Sequence, residues 1–174
     1  MKHRVVSPWL WFALLVAVVG AMLFLRRSDA DRIRGDLESM ADALNYDVNG
    51  SRQNWRDVLN TVLRQRVSSP VTILIEPSGE STVDTDSLVN AAVEYTRDLS
   101  AMTVELFDVR VKLDEDGRRA TAKGEAILDI VDTTGTRRNE PRKFALTLER
   151  SAKEWVIVHA QIAEPRIDQP EARP

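Results

Sequence analysis

The sequence predicts an α+β domain behind one transmembrane helix, and three observations lead to this. An apolar run, interrupted only by Ser7 and Pro8, occupies Val5–Leu25. Three amphipathic helical segments follow, and four segments of alternating apolar residues, separated by turn signals, come last. Alternating segments of that kind form an antiparallel meander with one buried face, which the helices cover. We therefore expect an anchor at residues 1–27, one domain at residues 28–163 and a disordered tail at residues 164–174.

The apolar run has the length of a membrane span. As a helix, its 21 residues extend roughly 31 Å, which is about one hydrocarbon core. Trp9 and Trp11 lie where interfacial aromatic residues are common. A cleaved signal peptide is the competing interpretation, but no A-x-A-like site follows the run, which is also longer than a usual signal-peptide core. We expect residues 5–25 to hold the protein in the membrane.

The charges that flank the run leave its orientation open. Two basic residues precede it and four follow it before Gly35, so counting charges mildly favours a cytoplasmic domain. A short basic head before an apolar core is, however, similar to an uncleaved signal anchor, which would leave the domain outside. We therefore expect a single-pass protein of the inner (cytoplasmic) membrane with an extracytoplasmic domain.

Composition excludes several classes of partner and site. Residues 28–174 carry 20 basic and 27 acidic side chains, a net charge of −7, so phosphate backbones would repel them. No run of Lys and Arg with interleaved aromatic residues offsets this charge, and we expect no nucleic-acid partner. The chain has no cysteine, which excludes disulfides, thiolate nucleophiles and cysteine metal sites.

Helical periodicity and capping residues set the elements before the meander. Asn49-Gly50 breaks the chain between the first two helices, and Ser51 can cap the second one. The predicted elements are a helix at 28–44, a helix from Ser51 to Arg66, a strand at 71–76, and a helix from Asp84 or Thr85 to near Ser100. Their apolar stripes predict that all three helices pack on the sheet.

The meander is predicted between Thr103 and Ile162, with one inward face along each strand. The inward residues are predicted to be Phe107, Val109, Val111 and Leu113 in the first strand, Ala120, Ala122, Gly124, Ala126, Leu128 and Ile130 in the second, and Phe144, Leu146 and Leu148 in the third. The inward side chains of the second strand are small at one end and large at the other. Small residues there leave either a cavity or room for close helix packing.

The last strand carries the residues that we single out as candidates. Trp155, Ile157, His159 and Gln161 alternate on one predicted face, and the opposite face is also apolar, which predicts a central or doubly covered strand. A histidine hydrogen-bonded in or beside the core is one interpretation of His159, and a proton-transfer residue is the other. Trp155, His159 and Gln161, together with Gly124, form the predicted ligand-binding set.

No catalytic constellation is visible in the sequence. Successive glycines are never closer than seven residues, which excludes G-x-G-x-x-G, P-loop and G-x-S-x-G motifs. The only histidines are His3 and His159, so a zinc site or a histidine cluster is excluded. We therefore expect no catalytic residue, no metal and no cofactor.

The order of elements resembles a known superfamily. A helix pair, a short strand, a third helix and a long meander closing with Trp155-Val156-Ile157-Val158-His159 resemble the NTF2-like, cystatin-like α+β fold, especially its SnoaL-like branch. The resemblance implies a cone made of a curved antiparallel sheet packed on about three helices. Some members, such as ketosteroid isomerases, catalyse proton transfer in the cone, and others bind small molecules or proteins. Here the inward stripe of the first helix has no tyrosine, and no inward aspartate can be matched in the strands.

An N-terminal span joined to such a domain is similar to membrane-anchored envelope proteins, including the VirB8-like assembly proteins and the Mce-associated proteins, which act as interaction modules. We therefore predict a membrane-anchored, non-catalytic binding module of the bacterial cell envelope, which forms a homodimer or binds an envelope protein. The alternative is a binding site for a small hydrophobic ligand, or a SnoaL-like proton-transfer enzyme, in the cone around Trp155 and His159.

Overall fold

The computed structural model describes residues 28–152 and 154–163. The predicted anchor at residues 1–27, with its span at residues 5–25, and the predicted tail at residues 164–174 lie outside the described residues. Among the residues that are described, no helix is both long enough and apolar enough to cross a membrane.

Three α-helices form within the described residues, and each begins at a side-chain cap. Helix α1 spans Asp29–Leu44, α2 spans Arg52–Arg66 and α3 spans Thr85–Tyr95. The Oγ atoms of Ser28 and Ser51 each accept a backbone N–H from three residues further on, both at 3.2 Å. A serine cap of this kind stabilises a helix by about 1 kcal/mol. The predicted caps at Ser51 and Asp84 are confirmed, since Asp84 Oδ1 also accepts an N–H from the first turn of α3, at 2.7 Å.

In the part of the chain that the structure describes, seven strands form one sheet in the order β1-β4-β5-β6-β7-β2-β3. The strands are β1 (Tyr46–Asp47), β2 (Val67–Ile75), β3 (Gly79–Val83), β4 (Leu99–Leu113), β5 (Arg119–Asp132), β6 (Arg137–Ser151) and β7 (Glu154–Ala163). All neighbours are antiparallel except β2 and β7, which are parallel. The prediction of a wholly antiparallel sheet is therefore wrong for this pair. The pair is parallel because β2 leaves α2 at the end of the sheet where β7 begins, with Arg66 ion-paired to Glu154 at 3.5 Å.

Two predicted strand boundaries are wrong, and two short strands were missed. Strand β2 begins at Val67, directly after α2, rather than at Val71. Strand β4 begins at Leu99, because α3 ends at Tyr95 and a short 3₁₀ turn follows it. Strands β1 and β3 were not predicted. The first has two residues, and the second has the sequence GESTV and is almost wholly exposed, so pairing rather than burial defines it.

A bulge interrupts β4 between Phe107 and Arg110, where Asp108 has a φ of 50°. The bulge moves the inner face from Leu106 to Val109, and Phe107 is 42% exposed. The predicted inward position of Phe107 is therefore wrong, whereas the other three predicted residues of this strand pack on the core. A bulge adds one residue to a strand, so every residue beyond it changes face relative to a strict period of two.

One face of the sheet, called the inner face below, packs on the helices around Trp155. Trp155, Ile33 and Leu59 have at most 2% of their surface exposed. Ala120 and Ala122 belong to the same cluster, so the space above these small residues is filled by neighbouring side chains. Burying an aliphatic or aromatic side chain of this size contributes about 1.5–3 kcal/mol, which makes this cluster the main source of stability.

Candidate binding surface

A second bulge, in β7, divides the predicted ligand-binding residues between the two faces of the sheet. Ile157 pairs with Leu148, and His159 pairs with Thr147, so Val158 is an extra residue between two successive pairs. Directly paired residues of neighbouring strands lie on the same face. The predicted alternation along β7 is therefore wrong after Ile157, because His159 lies on the outer face, away from the helices.

Trp155 is a core residue at the beginning of β7. It is 2% exposed and belongs to the main apolar cluster. The guanidinium of Arg150 lies 5.7 Å from the centre of its ring, close enough for a cation–π contact. Its indole Nε1 is buried and has no acceptor within the part of the chain that the structure describes. Trp155 is therefore a core residue, and it is one of two buried indoles, with Trp55, whose N–H has no acceptor among the described residues.

Gly124 lies beneath the ring of Phe144, its partner on β6. A Cβ at this position would lie 2.8 Å from Cζ of Phe144 and 2.9 Å from the carbonyl oxygen of Phe107, in the β4 bulge. Both distances are too short for a side chain, so the glycine allows this close approach of ring and backbone. The sequence left a cavity or close helix packing as alternatives at this position, and in the structure the ring of Phe144 packs on Gly124 instead.

The outer face of the sheet is polar, and its residues align in rows across the strands. One row contains Lys112, Thr121, Thr147, His159, Thr72 and Thr82, and the next contains Arg110, Lys123, Ala145, Gln161, Leu74 and Glu80. Gln161 Nε2 donates to Oε1 of Glu76 at 2.8 Å. Within residues 28–152 and 154–163, His159 has no hydrogen bond or ion pair of its side chain. This surface offers hydroxyl, amide and cationic groups rather than an apolar patch.

A groove of about 660 Å³ opens on this outer face beside the bulge of β4. Its charged lining consists of Asp108, Arg110, Lys112, Lys123, Glu125 and Lys143, and Gly124 and Phe144 also line it. Lys143 Nζ and Glu125 Oε1 form a long ion pair at 3.9 Å. The other three cations have no ion pair with any described residue. Of the predicted ligand-binding residues, Gly124 alone lines the groove, and Gln161 lies in the row that contains Arg110 and Lys123.

Two clusters of charge on other parts of the domain were not predicted. Glu140, on the inner face opposite Leu128, accepts from Arg138 at 3.0 Å and from Arg142 at 2.9 Å. Extending the alternation of β6 back from Phe144 to Arg138 would have placed these residues on the inner face.

The second cluster joins α1, α2 and β7. Asp36 and Arg66 form an ion pair at 2.9 Å, and Arg66 also contacts Glu154 at 3.5 Å. Burial raises the pKa of the Asp36 carboxyl, and the attraction of Arg66 and Arg32 only partly opposes it. A perturbed carboxyl is a common mark of a functional site, but Asp36 lies outside the groove, and its contacts hold three elements together. No group of acidic and histidine side chains that could hold a metal ion occurs among the described residues.

Comparison with known proteins shows the fold. No protein-family model and no curated protein sequence matches the chain. An NTF2-like superfamily protein from Salmonella enterica serovar Typhimurium matches in structure, with a TM-score of 0.61 and 14% identity over 82% of this chain and 95% of that one. The domain has the NTF2-like fold. The predicted cone is thereby confirmed in outline, as a curved mixed sheet on three helices.

Two further structures of the same fold have names that denote different kinds of protein, an assembly hub and an enzyme. The S. rosetta CaMKII hub has a TM-score of 0.61 and 14% identity, and the match covers 81% of this chain and all 100% of the hub. A scytalone dehydratase-like protein from Novosphingobium aromaticivorans has a TM-score of 0.58 and 10% identity, over 76% of this chain and 81% of that one. Likenesses at such identities show the fold alone, because this fold carries both enzymes and assembly domains.

Proposed function

We propose that this protein is a membrane-anchored, non-catalytic interaction module whose NTF2-like domain binds a partner protein or a second copy of itself. The observation that carries the proposal is the apolar interior. The buried residues between sheet and helices are apolar except for Thr85 and Thr96, within the described part of the chain. Proton-transfer catalysis needs a base within hydrogen-bond reach of a bound substrate, and usually a second polar group.

The groups that could act as a base lie elsewhere or are already paired. His159 is on the outer face of the sheet, without a carboxylate partner among residues 28–152 and 154–163. Glu140 is on the inner face but lies between two arginines, at 2.9 and 3.0 Å. A carboxylate held in this way is a structural ion pair, so the interior stabilises the domain and the surface is left for recognition.

The predicted span at residues 5–25 would hold such a module at the membrane. Confinement to two dimensions raises effective concentration, so weak contacts suffice for assembly at the inner membrane. A reporter that fluoresces only when it folds in the cytoplasm, fused after Pro174, tests the extracytoplasmic orientation. We expect dark cells, and bright cells would overturn the orientation.

Site-specific crosslinking tests the interaction itself. A photoreactive amino acid replaces Thr147, in the middle of the outer face, and, as a matched control, Gln65 on the exposed side of α2. In cells that carry the full chain, we expect the Thr147 position to yield a crosslinked second copy or one reproducible partner, and the Gln65 position to yield neither. Equal crosslinking from both positions, or none from Thr147, would count against an interface on the outer face.

One observation favours the second candidate, a binding site for a small ligand in the interior. The indole N–H groups of Trp55 and Trp155 are buried without an acceptor among the described residues, and an unsatisfied buried donor costs about 1–3 kcal/mol. An apolar ligand with one acceptor atom would satisfy such a donor. Titration with 2-naphthol, followed by the indole N–H signal of Trp155 and assigned with Trp155→Phe, tests this. A saturable shift of that signal would favour the ligand-binding function over the interaction module.

A further inference from the structure

We propose that the groove on the outer face binds an acidic segment of a partner protein. This inference rests on the proposed function and names the chemistry of the partner. It starts from the arrangement of the three cations that have no ion pair in the described part of the chain, Arg110, Lys112 and Lys123.

The strand register places these cations together at a cost to the fold. Arg110 and Lys123 are directly opposite each other across β4 and β5, and Lys112 follows two residues later on the same face of β4. Side chains in opposite positions start only about 4.5–5.5 Å apart, and like charges there destabilise the strand pair. An anion bound between them would remove that repulsion, so binding would stabilise the domain.

Basic residues elsewhere on β5 and β6 are paired within the sheet. Arg119 contacts Glu149 at 2.8 Å, and Arg137 contacts Asp129. The groove is therefore a local exception on a domain whose residues 28–174 carry a net charge of −7. A positive cleft on an otherwise acidic surface attracts a negatively charged partner and repels most of the surface of another copy of the domain.

The shape of the groove fits a short extended segment. About 660 Å³ is in the range of pockets that hold a ligand or a few residues, and the groove is open to solvent. Phe107 is 42% exposed and is paired with the groove residue Glu125, so its ring lies on the same outer face as the cations. This ring offers an apolar contact beside the groove, so a segment with carboxylates around one apolar side chain would match it.

A protein segment fits this position better than a lipid surface. The described chain begins at Ser28, directly after the predicted anchor, and Asp29 contacts Arg150 at 3.1 Å. The backbone of Arg150 donates to the carbonyl of Arg118, so the acidic β4–β5 turn, residues 114–117, lies at this same end of the domain. At that end of the domain, the carboxylates of the turn would face the membrane, and anionic headgroups would repel them. The groove lies on the outer face of the sheet instead.

Binding of a defined peptide to the full chain, kept in neutral detergent, tests the inference. The probe is a fluorescent peptide of eight glutamates around one leucine, and its control carries glutamine in place of every glutamate. Arg110→Gln with Lys123→Gln removes two groove cations, and Arg97→Gln with Arg118→Gln removes two exposed cations outside the groove. We expect the acidic peptide to bind, the groove variant to weaken binding by about tenfold, and the control variant to leave it unchanged.

A stability measurement separates recognition from damage to the fold. Because the groove variant removes a like-charge pair, its melting temperature should be equal to or higher than that of the unaltered chain, although it binds less well. A lower melting temperature with the same loss of binding would overturn the inference, since unfolding would then explain the loss.

Three other outcomes would overturn the inference. The first is no binding of the acidic peptide, and the second is equal binding by both double variants. The third is that phosphatidylglycerol in mixed micelles, or inorganic phosphate, binds more tightly than the peptide and that the groove variant loses this binding. The last would assign the groove to phosphate groups. Crosslinking from Thr147 without peptide binding would leave the proposed function standing and reject this inference alone. Peptide binding without any crosslink from Thr147 would support the groove and count against the wider outer-face interface.

Discussion

The two faces of the sheet carry different kinds of residue, and β7 contributes to both within five positions. Trp155 is 2% exposed against the helices, whereas His159 lies on the outer face between threonines of β6 and β2. Around Trp155 the inner face is buried and apolar, so each change there alters packing. The outer face holds hydroxyl and charged groups with few bonds among them. Residues that stabilise this domain and residues available to a partner are therefore separated by the sheet, even where they are neighbours in sequence.

The largest expected effect comes from removing the indole of Trp155. Trp155→Ala should destabilise the domain by about 3–5 kcal/mol, because it leaves a cavity at the end of the core. His159→Ala, on the outer face of the same strand, should change stability by less than about 0.5 kcal/mol. Urea unfolding followed by circular dichroism measures both. Similar losses from the two variants would contradict the difference between the faces.

The second prediction tests why a glycine lies opposite the β4 bulge. Gly124→Ala should destabilise by about 1–3 kcal/mol, because its Cβ would meet the ring of Phe144 and the carbonyl of Phe107 at less than 3.0 Å. Gly35→Ala is the matched control, since that glycine lies within α1 with no atom near its Cβ position. The control should gain about 0.5–1 kcal/mol. If both variants have a higher melting temperature than the unaltered protein, Phe144 and the β4 bulge move aside at little cost, and the prediction is wrong.

The prediction of the fold succeeded where local chemistry decides and failed where the register between strands decides. Serine and aspartate caps are local, and Ser51 and Asp84 were identified from sequence. A single extra residue at Asp108 or Val158 leaves no change in composition, yet it moves Phe107 and His159 to the outer face. The sequence therefore predicted the helices and the four-stranded meander, and it misplaced one side of each bulge, Phe107 before the bulge of β4 and His159 after that of β7.

The groove could not be predicted for a related reason. Its cations come from three strands, at Arg110, Lys123 and Lys143, and each is an unremarkable exposed residue of its own strand. Only the pairing of β4 with β5 and of β5 with β6 brings them together. Strand pairing depends on turn geometry and bulges, which a single sequence specifies weakly, so a site made by register appears first in the structure.

Asp36 offers a pH test of the packed side of the domain. Burial raises the pKa of its carboxyl, so the folded state holds a proton more readily than the unfolded chain does. Its contribution to stability is present below the ordinary aspartate value of about 3.9 and is lost as pH rises through the raised folded value. The stability of the unaltered protein relative to Asp36→Asn should therefore increase on acidification across that window, in urea titrations at successive pH values. A relative stability that falls across the window would show that the ion pair with Arg66 outweighs burial.

Asp132, the last residue of β5, should give the smallest effect and the opposite sign. Its Oδ1 accepts from the hydroxyl of Thr134 at 2.6 Å and from the N–H groups of Thr134 and Thr136 at 2.8 and 2.9 Å, and these bonds lower the pKa of the carboxyl. The stability that they contribute is present above the ordinary aspartate value of about 3.9 and is lost as pH falls through the lower folded value. Relative to Asp132→Asn, the unaltered protein should therefore lose stability below that pH. Thr134→Val removes the strongest of these donors and should reduce the loss, and an equal loss in this variant would assign the effect to the backbone donors alone.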